Sequence, residues 1–243
     1  MKDSFERDGY LIAEDCFPRL YLSRLAEVLW VALADGADCD ESLDSLIMKS
    51  EAIDHQKVYS AGLCAGSSLV AQELIGRSQL IPILCDLLDV APQYLHAMPL
   101  HLAIQLPYDA AYLYLPHQES SFYPAINNIL NIWFPITRKS SEEGGTIGVI
   151  PGSHVHGKRA NRQERGMNGF LQIVPDLHPG EIERTIPIEM EPGNAFIFHA
   201  DTVHSSYPNR SGLPRLNGIL RIVNMAEQKQ VKPLYKALSW GDA

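Results

Sequence analysis

Two short segments carry residue types able to hold a transition metal: Leu115-Pro116-His117-Gln118-Glu119 and His199-Ala200-Asp201-Thr202-Val203-His204. In an extended strand, residues i and i+2 project to one face, so His117 and Glu119 would project together. His204, from a distant strand, adds a second imidazole. Two imidazoles and one carboxylate form the facial donor set that holds non-haem Fe(II) and leaves coordination positions open. Asp201 is the alternative acid if the register differs, and His199 reads as a structural neighbour. A second chemistry follows His204. The run Ser205-Ser206-Tyr207-Pro208-Asn209-Arg210-Ser211-Gly212-Leu213-Pro214-Arg215 could return a strand beside that of His204. A guanidinium grips a carboxylate through two parallel hydrogen bonds. Ser206, two residues beyond His204, would add a hydroxyl on the same face. Arg221, six residues after Arg215, keeps the same strand parity and competes with it. A metal beside such an Arg–Ser pair suits a 2-oxo acid, which chelates at one end and is held by its far carboxylate at the other.

The elements that must position these groups change character along the chain. After Pro18, Leu22, Leu25, Ala26, Leu29 and Leu33 follow the i, i+3, i+4, i+7 spacing of an amphipathic helix, stopped at Asp35-Gly36. Further helices are expected over Ser67–Ile75 and Gln79–Leu88. Asp38 to Asp44 reads as a solvated acidic loop or helix face. From residue 101 the pattern becomes short β-prone runs: His101–Leu106, Tyr112–Leu115, Ile129–Ile136, Thr146–Ile150, Thr185–Glu189, Ala195–His199 and Leu216–Val223. Helices followed by many short strands predict an α+β chain with enough strands for a jelly roll. One domain over residues 1–243 is the simplest organisation, with a helical part to about residue 100 and a β core over about 101–225.

Composition narrows the partners. The 243 residues are 46% hydrophobic and 20% charged, with 20 Lys and Arg against 29 Asp and Glu, a formal charge of -9. Nucleic acids and anionic membranes call for a basic face, so neither is an expected partner. The local exception is Lys158–Gly169, whose Lys158, Arg159, Arg162 and Arg165 form a basic loop, solvated or closing as a lid over an anionic small-molecule substrate. Tyr108, Tyr112, Tyr114 and Tyr123 flank the first metal motif, as pocket lining or as packing. His154 and His156 read as loop residues near the mouth. Cys16, Cys39, Cys64 and Cys85 lack metal or redox spacing and read as reduced thiols. With a polar start and no long apolar run, the expected location is cytoplasmic.

These segments together resemble the phytanoyl-CoA dioxygenase family of Fe(II)/2-oxoglutarate oxygenases. The resemblance opens with Phe5-Glu6-Arg7-Asp8-Gly9-Tyr10-Leu11-Ile12, like the family's opening strand. It runs through the His117–Glu119 segment, Asn131-Ile132-Trp133 and Gly144-Gly145-Thr146-Ile147-Gly148-Val149-Ile150-Pro151-Gly152-Ser153-His154, and ends with His204–Arg215. It implies a double-stranded β-helix, a cupin-like jelly roll, with an N-terminal helical layer. It implies Fe(II), 2-oxoglutarate and O2 as cofactor and co-substrates. By it, His117, Glu119 and His204 are the iron ligands, and Arg215 and Ser206 hold the distal carboxylate of 2-oxoglutarate. Trp133 then lies beside the co-substrate, and Gln105 falls near where relatives place a Lys or Gln that touches it.

One position departs from the family pattern: the usual acid is Asp, and here it is Glu119. Glu is one methylene longer, so its carboxylate must bend back or its backbone recede. A carboxylate is retained, which argues against the related halogenases, where a small residue admits halide. The implied reaction is hydroxylation of a C–H bond in a small metabolite or natural-product intermediate, with release of succinate and CO2. A metal-dependent cupin enzyme without an oxo acid is a rival, though such proteins usually carry a third or fourth His near the first pair. A non-catalytic jelly-roll binding module is the other.

Overall fold

The computed structural model describes residues 1–227 apart from residues 35, 37, 39, 125, 127 and 168. Cys39, the Asp35 half of the expected helix stop and one residue of the expected basic loop therefore lie outside the described residues. Helices α1 (Lys2–Asp8), α2 (Arg19–Leu33), α3 (Leu43–Ile53), α4 (His55–Gly66), α5 (Leu69–Gly76) and α6 (Leu80–Leu88) occupy the first part of the chain, around a short strand β1 (Tyr10–Ala13). Next come β2 (Leu95–Ala97), β3 (His101–Gln105), β4 (Ile129–Pro135), β5 (Ile147–Val149), β6 (Asn161–Arg165), β7 (Leu171–Pro175), β8 (Ile186–Pro187), β9 (Ala195–His199), β10 (His204–Ser206) and β11 (Arg215–Asn224).

The major sheet runs β1-β9-β4-β11-β2, with β3 also paired to β11, and the minor sheet runs β10-β5-β8, all antiparallel. Period-2 alternation divides the major sheet's side chains. Leu130, Ile132, Phe134, Ile197, Leu216, Leu220 and Ile222 join the helices' Leu22, Leu25, Leu29, Leu74 and Leu84 in one core. On the other face Trp133, Phe196 and Phe198 meet Ile147, Val149, Ile188 and Met190 of the minor-sheet side in a second core. The sheets thus close as a jelly roll, and the helices cover its major sheet.

The expected helical segments become α2, α5 and α6, and the fold adds α3 and α4. Side-chain caps start them: Ser42 accepts from the Ser45 N–H, and Asp54 from the Gln56 N–H. The buried face of α4 is Val58, Ala61, Gly62, Ala65 and Gly66. It is built of small residues because α4 lies directly on β3. A Cβ on Gly66 would stand 1.9 Å from the Leu100 carbonyl oxygen, and one on Gly62 would stand 2.7 Å from that of Leu102.

Three local expectations are corrected. The opening segment is not all strand: Lys2–Asp8 is helical and ends at Gly9, whose φ of 80° suits glycine. Tyr112–Leu115 is irregular, because Asp109 accepts from the Ala111 N–H at 2.7 Å in a turn and Pro116 cannot donate to a ladder. The basic loop is instead a hairpin, β6–β7. Its arginines are engaged within it or beneath it. Arg162 pairs with Glu164, Arg165 donates to the Gly169 carbonyl, and Arg159 forms a buried pair with Glu181. Among the described cysteines, Cys16 is buried, Cys64 exposed and Cys85 between, all as free thiols.

Candidate metal centre and co-substrate pocket

The two histidines meet across the sheet edge. His117 and His204 form an isolated antiparallel bridge, each N–H donating to the other's carbonyl at 2.9 and 3.0 Å. Their ring centres lie 4.0 Å apart. Each Nδ1 donates to a backbone carbonyl two residues upstream, His117 to Leu115 at 2.8 Å and His204 to Thr202 at 3.0 Å. Such donation fixes the tautomer and leaves the Nε2 lone pair for a metal. Burial lowers the pKa of His117, and lowers that of His204 well below the usual imidazole value with help from the neighbouring ring. Both rings therefore stay neutral, as ligands must.

Glu119 arrives by a different route from the one expected. It is the first residue of a 3-10 turn, Glu119–Ser121, and not a strand neighbour of His117. The intervening Gln118 is fully buried and holds this corner. Its amide donates to the Gly157 and Asp201 carbonyls at 2.9 and 2.7 Å and accepts from the Arg159 N–H at 2.9 Å. One Glu119 oxygen lies 3.9 Å from His204 Nε2, and the other accepts from Arg221 Nε at 2.6 Å. Donor atoms of His117, Glu119 and His204 all lie within 4.8 Å of one another, and all three residues are buried. Asp201 stands apart, accepting from Ser120 Oγ at 2.5 Å, and His199 Nδ1 accepts from the Asp201 N–H at 3.0 Å.

The carboxylate-binding candidates separate. Arg215 opens β11 opposite Gln105 of β3, and its guanidinium lies 5.4 Å from the Trp133 ring centre. Arg215 is buried, and neither Nε nor Nη1 has a hydrogen-bond partner; burial alone lowers its pKa to about 9. A buried cation with two free donors is an incomplete arrangement that a carboxylate would complete. Gln105 donates to the Tyr207 carbonyl at 3.0 Å, while its Oε1 is buried without a partner. Ser206 is elsewhere engaged: its hydroxyl accepts from the Tyr114 N–H at 3.2 Å. Arg221 is engaged by Glu119 rather than placed beside Arg215.

Several groups escaped the residue-by-residue reading. Asn131 and Asn217 turn inward, and both polar atoms of Asn131 and the Asn217 Oδ1 are buried without partners. The visible signal was a polar residue inside the apolar run Ile129-Leu130-Asn131-Ile132-Trp133. Around the metal corner, Tyr114 and Phe122 lie 5.2 and 5.8 Å from the His117 ring, and Phe198 lies 4.7 Å from His204. Of the four flanking tyrosines, Tyr114 faces this corner, and Tyr123 lies 5.5 Å from the Arg221 guanidinium. Tyr108 and Tyr112 are exposed.

Known proteins match the chain as follows. The phytanoyl-CoA dioxygenase (PhyH) family model matches residues 79–217. A probable phytanoyl-CoA dioxygenase of Caenorhabditis elegans is 25% identical over 219 residues, covering 85% of this chain and 69% of that protein. The 1-deoxypentalenic acid 11-beta-hydroxylase of Streptomyces exfoliatus is 32% identical over 101 residues, which span 40% of this chain and 35% of the hydroxylase. EvdO2 from Micromonospora carbonacea var. aurantiaca, solved in complex with 2-oxoglutarate, shares the fold with a TM-score of 0.63 at 15% identity, over 92% of this chain and 89% of that one. Jelly roll, enclosed His/Glu/His corner and a family match over most of the β region converge, and the chain belongs to the phytanoyl-CoA dioxygenase family of Fe(II)/2-oxoglutarate-dependent oxygenases.

Proposed function

We propose that His117, Glu119 and His204 hold Fe(II), and that Arg215 receives the distal carboxylate of 2-oxoglutarate, with Gln105 and Trp133 beside it and Ser206 nearby. The reaction is hydroxylation of a C–H bond in a small metabolite or natural-product intermediate, with 2-oxoglutarate and O2 converted to succinate and CO2. The observation that carries this is the pairing of a neutral, pre-oriented donor set with an enclosed, unpartnered guanidinium. When bound, the iron and the oxo acid supply O2 activation and the reducing electrons.

The chain's own residues supply orientation and enclosure. The Leu115 and Thr202 carbonyls hold the imidazoles in the ligating tautomer. Phe198 and Val149 are buried in the apolar core on the inner faces of the two sheets, which keeps bulk water from this region. Arg215 would hold the far carboxylate of the co-substrate, and its guanidinium lies 5.4 Å from the Trp133 ring centre. The shared helix–sheet core, drawn from Phe5 to Ile222, supports treating the described residues as one oxygenase domain. An anionic substrate group would meet Lys158, the exposed cation at the foot of the hairpin. Aerobic incubation with Fe(II), 2-oxoglutarate and a panel of small metabolites tests the proposal, with succinate and oxygenated product read by mass spectrometry. Succinate equal to that of His204→Ala across the panel would overturn it.

A further inference from the structure

The proposed ligands differ in how they are held. Each histidine is fixed by a carbonyl two residues away on its own segment, whereas Glu119 is fixed by Arg221, 102 residues further along the chain. Arg221 lies on β11 directly opposite Asn131 of β4, with its carbonyl accepting from the Met98 N–H at 2.9 Å. Its guanidinium lies 5.5 Å from the Tyr123 ring centre, so strand, neighbouring segment and aromatic ring all define where it stands. The Glu119 carboxylate is thereby divided: Oε1 accepts from Arg221 at 2.6 Å, and Oε2 faces His204 Nε2 at 3.9 Å. A free Glu side chain loses rotamer entropy on being ordered. An existing charge-assisted hydrogen bond meets that cost before the metal arrives.

We propose that Arg221 is a positioning residue that makes the longer acid usable as an iron ligand, presenting one oxygen to the metal and holding the other. The inference rests on the assignment of Glu119 as a ligand. It predicts a dependence on side-chain length. Asp at position 119 would draw the carboxylate back by roughly one C–C bond, about 1.5 Å, and so out of hydrogen-bond reach of Arg221. Arg221 then matters with Glu at 119 and not with Asp. Arg221 is not the co-substrate anchor on this account, since its Nε is already committed while Arg215 has two unpartnered nitrogens.

The test is a Co(II) titration without 2-oxoglutarate, following the visible d–d bands, on wild type, E119A, R221M, R221K, E119D and E119D/R221M. R221M is expected to weaken Co(II) binding by about tenfold or more and to alter the band shape. R221K, which keeps a charge but not the fork, is expected to fall between. With Asp at 119, R221M is expected to cost less than about twofold. Equal losses in both backgrounds, unchanged bands, or tighter binding by R221M would overturn the inference. Thermal melts of each variant separate misfolding from ligand loosening, and R221K serves if R221M does not fold. If E119A binds Co(II) as well as wild type does, the assignment of Glu119 as a ligand fails and the inference with it. If E119A loses binding while R221M and R221K keep it, the inference alone fails.

Discussion

Arg215→Met should stabilise the protein in the absence of 2-oxoglutarate and abolish its response to it. Arg215 is enclosed, two of its nitrogens lack partners, and burial lowers its pKa from 12.5 to about 9. At about 1.4 kcal/mol per pH unit, that corresponds to a burial cost of about 5 kcal/mol. The contact with the Trp133 face returns roughly 0.5–2 kcal/mol, so the cost wins. Replacing buried charge with well-packed apolar volume commonly stabilises by about 1–4 kcal/mol. Each kcal/mol raises Tm by roughly 2–4 °C in a chain of this size. The assay is a set of thermal melts with and without 2-oxoglutarate, with the metal held constant. Wild type should gain about 2.7 kcal/mol at 100 times its Kd, and R215M should gain none. A co-substrate-free R215M that melts below wild type, or one that gains as much from 2-oxoglutarate, would refute the reasoning.

Other predictions follow from the same physics. Burial holds His117 and His204 below the usual imidazole pKa, so Co(II) affinity measured from pH 8 downward should fall with a midpoint below pH 6.5; a midpoint at or above 6.5 would contradict this. The sign for metal-free stability is the same: the unfolded rings take up protons first, so stability is highest above pH 6.5 and is lost below it. Glu181→Gln breaks the buried pair with Arg159, which holds the Glu181 pKa down at about 2, and should cost about 3 kcal/mol in a urea melt at neutral pH. Wild type should lose that contribution as pH falls from 4.5 toward 2. Gly66→Ala should lower the unfolding free energy obtained from a urea melt by about 1–3 kcal/mol, because its Cβ meets the Leu100 carbonyl. Gly76→Ala, with nothing within 4 Å in α5, should raise it by about 0.5–1 kcal/mol.

The candidate cluster was legible because ligation restricts residue type: His117, Glu119 and His204, which the fold brings together, could be picked out without knowing their backbone. How they converge was not legible. A strand model placed Glu119 beside His117, but Pro116 breaks the ladder and the buried amide of Gln118 turns the chain into a 3-10 corner. Helices with large apolar stripes, such as α2, showed their period, while α4 hid its own in alanine and glycine that permit close approach to β3. The charge count of residues 158–169 described a basic loop, yet Arg159 is buried by a partner, Glu181, 22 residues away. Pairing across that separation leaves no local pattern. For the same reason Arg221 read as a rival to Arg215, and only the fold shows it against Glu119.

The most direct measurement is the visible spectrum of the anaerobic protein titrated with Fe(II) and 2-oxoglutarate. A metal-to-ligand charge-transfer band is expected in wild type, absent in His204→Ala and restored in Arg215→Ala only at much higher 2-oxoglutarate. A wild-type protein that shows no band at saturating iron and oxo acid, or a band indifferent to both substitutions, would contradict the assignment of the His117/Glu119/His204 centre and its Arg215 pocket.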